Sequence, residues 1–104
     1  MNRKFAALLC LATSFAAPAF AQGNPADTFK SRCSMCHGLD GHANTPAGKI
    51  FKAVSLKDPM VVNSSNEELE TIVKNGKNKM PYFKDKLTDA QIAAVVNYIR
   101  TLPD

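Results

Sequence analysis

Cys33-Ser34-Met35-Cys36-His37 sets two thiols three positions apart with an imidazole directly behind the second. Few chemistries use such a run, and each demands a different fold. A redox-active dithiol of the thioredoxin kind calls for a βαβ pattern, and no strand can be read in this chain. Zinc asks for four ligands. Only His37 and His42 stand beside the two thiols, and His42 follows in a glycine-bearing loop. A plain disulfide leaves His37 without a role.

The compartment narrows the choice. Asn2-Arg3-Lys4 form a basic head, Phe5 to Ala17 an apolar run broken only by Thr13 and Ser14, and Ala19-Phe20-Ala21 an A-x-A site after Pro18. That order predicts a secretory signal peptide, residues 1–21, cleaved after Ala21; Cys10 leaves with it. The alternative is a retained N-terminal anchor, although the run falls short of the roughly 20 apolar residues that span a bilayer. The exported domain is then 22–104 and periplasmic. Loss of Arg3 and Lys4 halves the formal charge of +4, too small an excess to suggest nucleic acid. A domain this short buries a modest core and needs a staple, metal or large cofactor. In an exported chain, Cys-x-x-Cys-His is the signature of haem attachment. Both thiols form thioethers with neighbouring vinyl groups, and the next residue presents its imidazole to the iron. Cys33 and Cys36 are therefore the expected covalent anchors and His37 the first axial ligand.

Helical signals dominate the rest. Asn24-Pro25, with Asp27 in the first turn, opens a helix expected to run through Phe29 to Cys36 and to end at Gly38 and Gly41. Pro46 opens a short helix through Phe51. Residues 53–64 are expected to be irregular, since Pro59 forbids a long helix. Ser65 to Glu68 has capping-box spacing and starts a helix carrying Leu69, Ile72 and Val73, stopped by Asn75-Gly76. Thr88 to Gln91 is a second capping box, and Ile92, Val95, Val96 and Ile99 form an apolar stripe ended by Pro103. The fold class is all-α.

The second axial ligand is open to three methionines. Met35 lies between the cysteines and cannot reach the opposite side. Met80 sits in the Lys79-Met80-Pro81 loop between two helices, its backbone held extended by Pro81. Met80 is the first candidate, with Met60 or an open position as alternatives.

These features resemble the class I cytochromes c, above all the small bacterial monohaem type, over most of residues 22–104. The attachment motif Cys33 to Gly38, the aromatic Phe29 four residues before it, Asn75-Gly76 with Met80-Pro81, and Leu87 to Leu102 with Tyr98 carry the likeness. The resemblance implies a cytochrome c fold: crossing N- and C-terminal helices, with shorter helices and loops wrapped round one haem. It implies that Phe29 packs on Tyr98, and that a proline carbonyl, here Pro46, accepts the imidazole proton. Where the family often has glycine four residues before the aromatic, this chain has Pro25. The implied function is single-electron carriage in electron transport such as a respiratory chain, by a monomer without stable membrane insertion and not as an enzyme. Lys74, Lys77, Lys79, Lys84 and Lys86 around Met80, opposed locally only by Asp85, read either as a solvated basic surface or as a docking face for acidic redox partners. The competing functions are a haem enzyme or gas-binding protein with a labile or absent Met80 bond, and a haem-free thiol or metal protein.

Overall fold

The computed structural model describes residues 23–104. The expected signal peptide and its cleavage site lie outside the described residues. Among the described residues six helices follow one another: α1 Pro25–Arg32, α2 Ser34–His37, α3 Pro46–Phe51, α4 Pro59–Val62, α5 Asn66–Asn75 and α6 Asp89–Ile99. Among the described residues there is no strand, only an isolated bridge between Lys77 and Met80.

Helix starts obey local chemistry. Asn24, Thr45 and Asp58 each precede a proline at the first helical position, and each side chain accepts a backbone N–H that the helix leaves unpaired. Ser65 and Thr88 close full capping boxes with Glu68 and Gln91.

Three boundaries differ from expectation. The first helix is jointed rather than continuous: Cys33 keeps its ladder bonds to Phe29 and His37, but its φ of −119° departs from helical values. The stretch 53–64 is not wholly irregular, because Asp58-Pro59 starts a one-turn helix just as Asn24-Pro25 does. The last helix stops at Ile99, well before Pro103; Thr101 donates to the Tyr98 carbonyl in a tighter turn, which returns Leu102 to the core. The Lys57 ammonium holds that turn through the Leu102 carbonyl.

α1 and α5 both pack on α6. Phe29 meets Tyr98 with ring centroids 5.6 Å apart and planes inclined by 53°, a favourable tilted pair. The core is not one mass but three clusters: Phe29–Val95–Leu102, Val61–Leu69–Val96 and Phe83–Leu87–Ile92. Side chains from the clusters, or packed against them, face a common apolar cavity.

Candidate functional site

The attachment turn is held from below by α3. Gly38, at φ +77°, ends α2 in a conformation that disfavours side chains. The Thr45 hydroxyl donates to the Met35 carbonyl at 2.7 Å, lies 3.1 Å from that of Cys36, and accepts from Gly48 N–H at 2.9 Å. Ala43 N–H donates to the His37 carbonyl at 2.7 Å. The carbonyls that close α2 therefore have partners within the protein. Gly48 permits this seat: a Cβ there would lie 2.3 Å from the Cys36 carbonyl oxygen.

His37 lines the cavity, and its Nδ1 lies 3.0 Å from the Val54 carbonyl. A carbonyl only accepts, so Nδ1 carries the proton and the lone pair of the neutral ring is on Nε2. Burial lowers the imidazole pKa, partly offset by that hydrogen bond, so the ring is neutral at physiological pH. The acceptor is Val54 and not Pro46 as expected. Pro46 occupies the first turn of α3, where its carbonyl points along the helix axis towards the following turn. Val54 follows Lys52, whose left-handed φ of +55° turns the chain after α3. No side-chain signal marks a backbone acceptor, which is why sequence reasoning missed it.

The cavity opens to solvent, and the space within it and its mouth together comes to about 580 Å³. Among the described residues, its walls are hydrocarbon except at Cys33, His37 and Met80. Cys33 and Cys36 are free thiols; burial pushes the Cys33 thiol up to about 11, so it too is neutral. A thiol, a neutral imidazole and a thioether share this apolar cavity and suit an attached, ligated haem; Cys36 lies outside the cavity lining. Among the described residues no three His, Cys, Asp or Glu side chains cluster as metal ligands.

Met80 arrives on a strap after α5. Lys77 and Met80 exchange backbone hydrogen bonds of 3.1 and 2.9 Å across a turn with Asn78 at φ +53°. Phe83 and Lys84 then return the strap to the Val73 and Lys74 carbonyls. Gly76, at φ +78°, lets the strap pass close: a Cβ would lie 2.7 Å from the Met80 carbonyl oxygen. Met60, Met35 and His42 are exposed and stand outside the cavity wall. Of the strap lysines, Lys74 pairs with Asp89 at 3.1 Å and Lys84 lies over the Tyr82 ring. Lys77, Lys79 and Lys86 are exposed and form no ion pair with the described residues.

Residues 20–99 match the family described as cytochrome c oxidase, cbb3-type, subunit III. The chain is 38% identical over 102 residues to cytochrome c6 of Picosynechococcus sp., covering 89% of this chain and 86% of that one. It is 33% identical over 76 residues to cytochrome c6 of Euglena gracilis, covering 73% and 86%. Its backbone is similar to that of the c-type cytochrome KustC0563, with a TM-score of 0.70 and 26% identity over 78% of this chain and 99% of the other.

Proposed function

Since this chain belongs to the class I cytochromes c, with haem c as its cofactor and electron carriage as its general role, we propose that it shuttles single electrons between redox proteins through one haem bonded to Cys33 and Cys36 and ligated by His37 and Met80. The observation that carries the reading is the cavity itself, where a neutral imidazole with its Nε2 lone pair unspent shares apolar walls with Cys33 and Met80.

When bound, haem c supplies a one-electron iron couple. The chain's residues tune it. Cys33 and Cys36 make attachment permanent, Thr45 and Gly48 seat the turn that bears Cys36, and the Val54 carbonyl orients the imidazole and raises its basicity. Met80, a soft donor, favours the reduced iron, and the hydrocarbon walls penalise the extra charge of the oxidised state. Among the described residues that line the cavity there is no acid–base pair: His37 is the only ordinary proton-transfer side chain, and its Nδ1 is committed to Val54. This favours a carrier over an enzyme.

The finer assignments extend the same reading. The protein is a periplasmic monomer released by cleavage after Ala21. No helix of the described residues is long and apolar enough to cross a membrane. Lys77, Lys79 and Lys86 offer an unneutralised face to acidic partners, where charge speeds encounter more than it prolongs contact.

The test is to express the full chain with the haem-attachment machinery. The mass should equal residues 22–104 plus one haem. The oxidised protein should show the weak long-wavelength band of sulfur-to-iron charge transfer, which Met80→Ala abolishes. High-spin spectra or rapid carbon monoxide binding by the unsubstituted protein would overturn the Met80 assignment. A colourless product would overturn the whole reading.

A further inference from the structure

Arg100 caps α6, beyond the last residue that lines the cavity. Although Arg100 is exposed, each nitrogen of its guanidinium donates a hydrogen bond. Nη2 donates to the Ser64 carbonyl at 2.7 Å, Nη1 to the Val62 carbonyl at 3.3 Å and Nε to Asn66 Oδ1 at 2.7 Å. Asn66 in turn donates from Nδ2 to Asn97 Oδ1 at 3.0 Å. One planar fork thus fastens the end of α4 and the first residue of α5 to α6.

What α5 does makes this more than a surface bracket. Its inner face supplies Leu69, Ile72 and Val73 to the cavity wall, and α4 supplies Val61. Its far end carries the Met80 strap, which is bonded to the carbonyls of Val73 and Lys74 and pressed against Gly76. Arg100 therefore holds one end of the helix whose other end delivers Met80. α4, a single turn, has few ladder bonds of its own. The carbonyls of Val62 and Ser64 near its end are of the kind that need outside donors.

We propose that Arg100 is a positioning residue for Met80: by pinning the α4–α5 junction to α6, it keeps α5 and its strap in the register that closes the cavity and holds the thioether against competing ligands. The inference rests on the Met80 reading above. It concerns hydrogen bonds to neutral oxygens, so its effect should be insensitive to salt.

The experiment uses ferric holoprotein with imidazole as the competing ligand. Variants are Arg100→Ala, Arg100→Lys and Asn66→Ala, with Thr88→Ala as control. Thr88 caps α6 at its opposite end and loses stability without touching the junction. Arg100→Ala should bind imidazole about fivefold more tightly than the unsubstituted protein, the scale of coupling carried through a hydrogen-bonded network. Its charge-transfer band should weaken. Arg100→Lys should recover part of both, and Thr88→Ala should change neither. Should Arg100→Ala fail to accumulate, Asn66→Ala, which removes one of the three acceptors, should bind imidazole about twofold more tightly on the same reasoning. If the unsubstituted protein shows the band and the Arg100 and Asn66 variants match Thr88→Ala in imidazole affinity, the positioning role is refuted while the Met80 reading stands. If the unsubstituted protein lacks the band, both fall.

Discussion

Gly48→Ala sets two physical effects against each other. Gly48 lies inside α3, and alanine is the better helix former by up to about 1 kcal/mol. On propensity alone the substitution stabilises. Packing says otherwise. The new methyl would stand 2.3 Å from the Cys36 carbonyl oxygen, 2.7 Å from that of Ala43 and 2.9 Å from the Thr45 hydroxyl. Two of these are backbone atoms that cannot swing aside. Overpacking of this kind costs roughly 1–3 kcal/mol. Displacing Thr45 also weakens its bond from Gly48 N–H, an N-cap worth about 1 kcal/mol. The propensity gain offsets no more than the cap, so the net is a destabilisation of about 2 kcal/mol. For a domain of this size that lowers Tm by about 10 °C. Thermal melts of the oxidised holoprotein, followed by far-ultraviolet circular dichroism, measure it directly. Haem loading should fall as well, because the displaced carbonyl belongs to Cys36. A Tm equal to or above that of the unsubstituted protein would show that α3 does not seat on the attachment turn.

Replacing Cys33 and Cys36 together by Ala should leave a colourless, largely unfolded chain, because three separate core clusters would surround a space nothing fills; a cooperative haem-free melt would contradict this. Gly76→Ala should destabilise by about 3 kcal/mol and weaken the charge-transfer band. It combines a φ of +78° with a 2.7 Å approach to the Met80 carbonyl, and guanidinium denaturation with absorption spectra checks both. Phe29→Ala should cost about 3–5 kcal/mol in the same denaturation assay, the range for deleting a fully buried aromatic. Electron transfer with an acidic protein partner, measured by stopped flow, should slow as salt rises, and slow further when Lys77, Lys79 and Lys86 are replaced by Gln at low salt.

Much of the fold was legible because helix starts are local events. Asn24-Pro25, Pro46 and the two capping boxes place four helix beginnings from a few consecutive residues. The same rule applied to Asp58-Pro59 would have found α4; reading Pro59 only as a breaker hid it. Helix ends were harder. The joint at Cys33 and the early stop of α6 at Ile99 answer to what the next segment packs against, and Leu102 turns inward where Pro103 suggested the helix still ran.

The amino-acid order alone settles which residue types could bond a haem, that Met80 lies between two helices, and where four of the helices start. Those depend on residue type and short spacing, and survive without knowledge of the fold. The tertiary structure alone decided that Val54 and not Pro46 accepts the His37 proton, that Gly48 must lack a side chain, and that Arg100 spans α4, α5 and α6. Each of these involves a backbone oxygen meeting a group distant along the chain. Every residue carries such an oxygen, so no letter in the sequence distinguishes the one that is used.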